Sequence, residues 1–417
     1  MWTTLTSIVL FISIACANYD GYKVIQTEQI YSQSKASELV KFIDSAEDEA
    51  YGFWISPRVG TYAKIMSAPK QLPTLEKFLN DQSIAFSVLI EDVQASIRRE
   101  SADQFVRRLI KTSSRSIDFE NYYGVDDIFA YLDELKADYD FVDVEVYGQS
   151  YEKRDLKVIK IQKAGSGAPN IFIEAGIHAR EWIAPAMATY IIHSLLEIPA
   201  NSHYLDQFNF HIMPSVNPDG YEFSRNGKRL WRKTRMHNEG AFCRGVDANR
   251  NWDFHWHESG VSDNPCSQTF PGKKAFSEPE TDSIRQYVEA LDPTPLMSLT
   301  LHSAANLWLV PYGYAYDQYP ENYDELHSLA EKAVQALNEV HNAGFRVINS
   351  AQLYPAAGAS DDWYLGVLGS TYGYTVELRQ GGFLGFDLPP SKIQESGEEL
   401  WAAMKVIFDR LHEVSSL

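Results

Sequence analysis

Residues 20–91 alternate between short segments with the two-residue period of a strand and segments with the 3.6-residue period of an amphipathic helix. The pattern predicts strands over 22–27, 51–55, 61–66 and 84–90, and helices over 35–45 and 74–79. The order β-α-β-β-α-β is typical of a ferredoxin-like sandwich. We therefore predict a small α+β unit near the N-terminus.

From residue 121 onward, apolar strand patterns alternate with longer helical patterns. Strands are predicted over 142–146, 156–162, 171–175, 208–213, 296–301 and 372–378, and helices over 125–135, 187–196, 323–341 and 393–411. This alternation favours a largely parallel or mixed sheet covered by helices on both faces. The active site of such a sheet lies beyond the C-terminal ends of its strands, where His178, His302 and Glu377 would all lie.

The segment 94–116 joins these two regions and has a basic, helical pattern. Its basic residues are Arg98, Arg99, Arg107, Arg108, Lys111 and Arg115. It ends in a polar, turn-prone stretch suited to proteolysis. We predict an exposed activation site at which a trypsin-like protease cuts after Arg115, after Arg108 or after both, so that the units are 18–115 and 116–417. A solvated helix followed by an ordinary linker is the alternative.

The first 17 residues contain a short apolar stretch that ends in Ala15-Cys16-Ala17, a small-x-small cleavage pattern. They predict a signal peptide over 1–17 and a secreted, extracellular protein, with a buried N-terminal strand as the alternative.

Without the signal peptide, Cys243 and Cys266 remain as the cysteines of the chain. An even number of cysteines in an exported protein predicts one disulfide, with two free thiols as the alternative. No later stretch has about 18 consecutive apolar residues.

The composition narrows the class of partner. With 45% hydrophobic and 22% charged residues, the chain has the composition of a folded protein. A formal net charge of -19 disfavours nucleic acid and anionic membranes as partners.

Candidate chemistry lies in the turn after the strand 171–175. This turn carries His178 and Glu181, three positions apart, and a helical turn would place both side chains on one face. Imidazole and carboxylate suit zinc, but a zinc site needs at least one more protein ligand. His302, at the end of a predicted strand, is the candidate for that third ligand.

Six motifs then carry a specific resemblance. They are His-Ala-Arg-Glu-Trp at 178–182, Asn-Pro-Asp-Gly-Tyr at 217–221, Leu-Trp-Arg-Lys-Thr-Arg at 230–235, Val-Asp-Ala-Asn-Arg-Asn-Trp at 246–252, Pro-Tyr-Gly-Tyr at 311–314 and Val-Glu-Leu-Arg at 376–379. Together they resemble the pancreatic-type zinc metallocarboxypeptidases of the A/B group over the whole chain. The resemblance implies a mixed, mostly parallel eight-stranded sheet with helices on both faces, preceded by a ferredoxin-like pro-domain.

The resemblance also implies the catalytic roles. One Zn²⁺ would be held by His178, Glu181 and His302, with an open position for water whose pKa would fall toward about 7. Asp247 would orient His178 through its other ring nitrogen, as opposed to lying in an exposed loop. Glu377 would be the general base, with an ion pair to Arg379 as the alternative. Arg232 would stabilise the oxyanion, although its basic neighbours also fit a solvated charge run.

Substrate contacts follow in the same way. Asn249 and Arg250 resemble the clamp for a terminal carboxylate, Tyr354 the tyrosine that covers the bound residue, and Arg180 an auxiliary contact. A packing aromatic is the alternative for Tyr354.

The selectivity position of the family falls on Asp361, and a carboxylate there predicts a preference for C-terminal Lys or Arg, as in B-type members. Asp362 could point into the pocket instead, with the same outcome, and Gly313 leaves room there. Ala304 stands where the family usually has an aromatic residue. This departure puts upstream subsites and inhibitor binding in doubt.

The function that we predict is a secreted zymogen of a zinc carboxypeptidase with B-like preference. Its partners would be peptide C-termini, an activating trypsin-like protease and protein inhibitors, and the protein would be a monomer. The alternatives are an inactive relative that binds peptides and an active carboxypeptidase with a non-basic preference.

Overall fold

The N-terminal unit is a four-stranded antiparallel sheet with two helices. The structure, a computed structural model, describes residues 19–46, 50–109, 114–382 and 385–416; the predicted signal peptide and the side chain of Arg108 lie outside these residues. The elements are β1 (Lys23–Thr27), α1 (Gln33–Asp44), β2 (Tyr51–Ile55), β3 (Lys64–Ser67), α2 (Leu72–Asp81) and β4 (Phe86–Ile90). The strand order β2-β3-β1-β4 is that of the predicted ferredoxin-like sandwich, which is thereby confirmed.

The predicted ranges of three strands in this unit begin too early, by one residue for β1, by two for β4 and by three for β3. The strand predicted over 61–66 starts at Lys64, because Thr61 instead forms an isolated bridge with Ile30. Helix α3 (Val93–Leu109) follows the sandwich.

The larger unit is built on an eight-stranded mixed sheet. Its strands are β5 (Val142–Gln149), β6 (Asp155–Ile161), β7 (Asn170–Ala175), β8 (Asn209–Met213), β9 (Met297–Ser303), β10 (Leu307–Val310), β11 (Arg346–Asn349) and β12 (Tyr372–Leu378). They lie in the order β11-β10-β12-β9-β7-β8-β6-β5, and the three successive pairings from β12 to β8 are parallel. This confirms the predicted mixed sheet.

Helices cover both faces of this sheet. They are α4 (Val125–Asp138), α5 (Ile183–Leu196), α6 (Pro218–Asn226), α7 (Pro279–Glu289), α8 (Tyr323–His341), α9 (Ser350–Leu353), α10 (Ser360–Trp363) and α11 (Ile393–Ser415). All six residues of β7 are buried, with Ile171 and Ile173 in the core that includes α5 and α11, and Phe172 in the core that includes α7. A central parallel strand is buried in this way only when both faces are covered.

The parallel centre of the sheet determines where chemistry can occur. β7, β9 and β12 run side by side in the same direction, so their C-terminal ends lie at one edge. His302 and Glu377 are direct register partners on β9 and β12. His178 follows β7 in a turn in which the Glu181 N–H donates to the His178 carbonyl at 3.2 Å, and not in a helix.

Two features of the chain outside the sheet were also predicted. Cys243 and Cys266 form a disulfide, as expected. Arg115, expected at an exposed activation site, has a side chain that is 26% exposed and lies beside carboxylates of the larger unit, and the position of the cut stays a prediction. By length and composition, none of the described helices could span a membrane by itself, and one bent pair, Ile183–Leu196 with Pro199–Asp206, could.

Candidate active site

Three buried side chains, two from the turn that follows β7 and one from the end of β9, meet at the C-terminal edge of the sheet. His178 Nδ1 lies 2.9 Å from Glu181 Oε1, and His302 Nδ1 lies 3.0 Å from His178 Nδ1 and 3.2 Å from Glu181 Oε2. Two ligands at about 2.0–2.1 Å from a tetrahedral zinc ion are themselves roughly 3.3 Å apart. The three groups are therefore spaced as donors to a single ion.

The protonation of His178 favours a cation at this point. Burial alone would raise the pKa of Asp247, but the guanidinium groups of Arg232 and Arg250 outweigh it and hold that pKa well below its usual range. The ionised Asp247 therefore accepts a hydrogen bond from His178 Nε2, 3.0 Å from its Oδ1. His178 Nδ1 then presents a lone pair to Glu181 Oε1. Two facing lone pairs repel each other unless a cation lies between them, so these residues fit a metal.

Asp247 also holds Arg232 beside the ligand cluster. Arg232 donates from Nη2 and Nε to Asp247 Oδ2 at 2.8 and 3.2 Å, and its Nη1 lies 4.0 Å from Glu181 Oε1. Arg232 is nine-tenths buried, so it is not part of a solvated charge run. Sequence reasoning placed Asp247 behind His178 and missed that one carboxylate positions both groups.

Glu377 lies next to His302 across two strands. Its pKa is raised to about 7 by burial and by the nearby charge of Glu181. Arg379, the alternative partner, instead pairs with Glu399. Glu377 is thus a carboxyl group that can both take and release a proton near neutral pH.

The predicted carboxylate clamp lies beside the ligand cluster. Asn249 Nδ2 is 3.4 Å from His302 Nε2, and Asn249 Oδ1 accepts from the Ser360 N–H at 2.9 Å. The Arg250 guanidinium lies 5.6 Å from the ring centre of Tyr354. Arg180 is buried, with no hydrogen-bond partner for its Nε among the described residues.

The two adjacent aspartates of the predicted selectivity pocket have different partners. Asp362 accepts from the backbone N–H groups of Gly313 and Tyr314 at 2.8–2.9 Å. Asp361 accepts from two hydroxyls, Thr375 Oγ1 at 2.8 Å and Ser350 Oγ at 3.5 Å, and from the backbone N–H groups of Asp361 and Asp362. Burial raises the pKa of both carboxyl groups, and in Asp362 the charge of Asp361 adds to this effect.

Thr375 was absent from the sequence reasoning, although its spacing from Glu377 on β12 could have indicated it. A strand places residues two apart on the same face. Thr375 therefore lies on the side of the sheet that carries Glu377, where its hydroxyl reaches Asp361.

Comparison with known families agrees with this geometry. The model of the zinc carboxypeptidase family matches residues 128–403, which is more than half of the chain. The chain belongs to the zinc carboxypeptidase family. This confirms the predicted family and the predicted cofactor, zinc. A second model, that of the carboxypeptidase activation peptide, matches residues 31–100.

Individual zinc carboxypeptidases are similar over much of the chain. Carboxypeptidase B of Astacus astacus is 43% identical over 295 residues, 70% of this chain and 97% of that protein. Zinc carboxypeptidase A 1 of Anopheles gambiae is 35% identical over 92% of this chain and 88% of its own length. The crystal structure of carboxypeptidase A from Helicoverpa armigera superposes with a TM-score of 0.87 at 28% identity, over 94% of this chain and 98% of that one.

In this zinc carboxypeptidase the activation unit, which contains β1–β4 and α1–α3, covers the site of the catalytic unit, which contains β5–β12 and α4–α11. A cavity of about 290 Å³ lies between the two units, lined by Arg180, Arg232 and Arg250 on one side and by Asp44 and Trp54 on the other. The activation unit also contacts the catalytic unit near the Cys243–Cys266 disulfide. Asn264 Nδ2 donates to the Asp44 carbonyl at 2.9 Å, and Ser267 Oγ donates to Asp44 Oδ1 at 3.1 Å. The chain is therefore a zymogen whose site faces the cavity between the two units.

Proposed function

We propose that the protein is a secreted zymogen which, once activated, removes C-terminal Lys or Arg from peptides. The observation that carries this proposal is the convergence of His178, Glu181 and His302 on one point with Glu377 beside it. Those three residues would hold zinc. Zinc, when bound, supplies a Lewis acid for the scissile carbonyl and lowers the pKa of water to about 7.

The remaining steps belong to side chains of the chain. Glu377 would take a proton from the attacking water and pass it to the departing amine, a role that its pKa of about 7 suits. Arg232, fixed by Asp247, would donate to the developing oxyanion, where loss of one such donor typically costs about 10²–10³ in rate. Asp247 would keep His178 in the tautomer that presents Nδ1 to the metal.

An exopeptidase must also recognise a chain end. Arg250 and Asn249 would bind the terminal carboxylate, with Tyr354 closing over the bound residue and Arg180 as an auxiliary contact. Arg180, Arg232 and Arg250 all line the same cavity, so three positive groups face the place where a carboxylate would enter.

Basic preference would come from Asp361. Its buried carboxylate has the hydroxyls of Thr375 and Ser350 as side-chain partners and forms no salt bridge among the described residues, so a cationic substrate side chain would supply the opposite charge. An apolar substrate side chain would leave this buried charge unpaired, which costs several kcal/mol. The similarity to a relative named carboxypeptidase B supports the same preference. A non-basic preference is the alternative, because other relatives are named carboxypeptidase A.

Secretion and regulation complete the proposal. The predicted signal peptide over 1–17 would export the chain, a trypsin-like protease would separate the activation unit, and the enzyme would act as a monomer. Protein inhibitors are expected partners, because a structure 33% identical to this chain is of a complex with tick carboxypeptidase inhibitor.

A panel of blocked dipeptides that differ only in the C-terminal residue tests the function. After complete cleavage by trypsin, we expect chelator-sensitive release that is fastest for Lys and Arg. Equal or faster release of Leu or Phe would favour the non-basic carboxypeptidase. No release from any dipeptide, by a cleaved protein that contains stoichiometric zinc, would favour the peptide-binding module.

A further inference from the structure

Arg115 is held by three carboxylates of the catalytic unit. Its Nη1 lies 2.6 Å from Asp138 Oδ2 and 4.0 Å from Glu134 Oε2, and its Nη2 and Nε donate to Glu197 Oε1 at 2.8 and 3.1 Å. Asp138 and Glu134 belong to α4, whereas Glu197 is the C-cap residue of α5. The guanidinium therefore joins the ends of two helices.

Glu197, the partner that accepts two of these hydrogen bonds, is itself fixed in place. Glu197 Oε2 accepts from the Tyr131 hydroxyl at 2.9 Å and lies 2.9 Å from His193 Nδ1. The hydrogen bond with His193, followed by that from Arg115, lowers the pKa of Glu197 to about 2. The carboxylate is thus ionised and oriented toward Arg115 across the whole neutral range.

The residues that follow Arg115 are also packed on the catalytic unit. The Ser116 N–H donates to both carboxylate oxygens of Glu134, at 3.1 and 3.2 Å. Ile117 is 4% exposed and belongs to the main core, and the buried Tyr122 donates its hydroxyl to the Leu388 carbonyl at 2.9 Å. The bond between residues 115 and 116 therefore lies at the start of a bound segment.

A trypsin-like protease needs the opposite arrangement. It takes the basic side chain before the scissile bond into its own acidic pocket, and native proteins are cut where the chain is exposed or opens locally. Cleavage after Arg115 would require the guanidinium to leave all three carboxylates and Ser116 to leave Glu134.

We propose that Arg115 stays on the activated enzyme as the anchor of its N-terminal end, and that the activating cut lies upstream of Arg115. The proposal deepens the activation step of the proposed function and rests on it. It excludes the cut after Arg115, one of the two positions that the sequence offers, and it assigns α4 and α5 the role of holding the new N-terminal segment in place.

The variant Arg115→Gln tests this directly. Wild type and variant are treated with a low dose of trypsin, and the large product is followed by intact mass and N-terminal sequencing. We expect a wild-type product that still contains Arg115, and conversion of the variant at a rate within about twofold of wild type. A wild-type product that begins at Ser116, or conversion of the variant slowed more than about tenfold, would overturn the proposal. Arg115→Lys keeps the charge and a trypsin site. It should be cut at the same position as wild type and Arg115→Gln.

A second variant tests whether the carboxylates protect the bond. In Asp138→Asn/Glu197→Gln, we expect a product that begins at Ser116 to appear at trypsin doses that leave the wild-type bond intact. Asp133→Asn is the matched control, because Asp133 lies on the same helix and pairs instead with Lys157 at 2.9 Å. Absence of the Ser116 product in the double variant would overturn the protective role of the carboxylates. Both readouts are masses, so they are unaffected if the enzyme proves to lack the proposed preference for Lys and Arg.

Discussion

The carboxylate of Glu100 and the guanidinium of Arg229 form a two-point ion pair between the activation unit and the catalytic unit. Arg229 Nε donates to Glu100 Oε2 at 2.6 Å and Arg229 Nη2 to Glu100 Oε1 at 2.8 Å, and both residues are at least nine-tenths buried. The catalytic unit orients Arg229 through the carbonyls of Arg180 and Phe386 and through the ring of Trp182, 3.6 Å from the guanidinium. Helix α3 is thus tied to the enzyme by a preorganised cation.

We expect Glu100→Gln to weaken inhibition by the activation segment after the chain has been cut. Removal of one partner from a buried ion pair typically costs about 3–5 kcal/mol, because the other charge is left uncompensated. Activity of the variant should therefore appear as soon as cleavage occurs. The measurement compares substrate turnover with the amount of cleaved chain on a gel at each time point. Glu91→Gln is the control, since Glu91 pairs with Lys23 at the surface. An equal delay between cleavage and the appearance of activity in wild type and Glu100→Gln would contradict the prediction.

Metal removal should abolish activity and lower thermal stability together. Without a cation, His178 Nδ1 and Glu181 Oε1 face each other at 2.9 Å inside the protein, and a ligand that binds only the folded state adds to its stability. Zinc should restore both properties to chelated wild type and neither to Glu181→Gln. His257→Gln is a control, because His257 lies at the surface and pairs with Asp263. Zinc content measured by metal analysis should be one per chain in the control, and an equal content in Glu181→Gln would remove Glu181 from the ligand set.

Glu377→Gln should keep zinc and lose catalysis. The amide preserves the shape of the side chain but cannot take a proton, and loss of a general base typically costs about 10²–10⁴ in rate. Turnover and zinc content are measured on the same preparation of the activated enzyme. Glu395→Gln, at the surface near Arg379, should behave as wild type. Turnover of Glu377→Gln within about tenfold of wild type would exclude Glu377 as the base.

The elements that sequence patterns predicted best are those with strong local periodicity. The bounds of α8 and β12 match the predicted ranges, because each has a long amphipathic or apolar pattern of its own. The strands β10 and β11 were missed: they have four residues each, too few for a period to show. The helices α6 and α7 were missed as well.

Local sequence could not predict interactions that depend on distant residues. The polar stretch around Arg115 predicts an exposed side chain, but its partners Asp138 and Glu197 come from two later helices. Likewise, the motif that contains Asp247 indicated a partner for His178, and only the fold brings Arg232 to the same carboxylate. Motifs therefore located the candidate catalytic groups, whereas their electrostatic surroundings required the structure.

Stability should fall as pH rises from about 5 to 8 because of Glu280. This residue is 1% exposed, and burial, with the nearby Glu278, raises its pKa to about 8 in the folded protein. The folded state therefore keeps a proton that the unfolded chain releases above its ordinary pKa of 4.5. Stability falls with pH wherever the folded state binds more protons, by up to roughly 1.4 kcal/mol per pH unit for one group.

Glu280→Gln should remove this part of the pH dependence. Gln resembles the protonated acid, so the thermal midpoints of variant and wild type should agree near pH 5, and the variant should be more stable above pH 8. Glu289→Gln, on the same helix at the surface, is the control and should follow wild type at every pH. A constant difference between the midpoints of wild type and Glu280→Gln would show that Glu280 does not titrate in this range.

Asp361 and Asp362 differ in their partners, and this difference yields opposite predictions for two otherwise equal substitutions. Asp361→Asn removes a buried charge whose side-chain partners are the hydroxyls of Thr375 and Ser350, so the ratio of kcat/KM for Lys over Leu should fall by about 10²-fold or more. Asp361→Lys should go further and favour acidic C-terminal residues. Asp362→Asn should instead lower the thermal midpoint with little effect on that ratio, because the Asp362 carboxylate binds the N–H groups of Gly313 and Tyr314. If the ratio changed in Asp362→Asn and not in Asp361→Asn, Asp362 would be the selector, and an unchanged ratio in both would mean that neither carboxylate sets the preference.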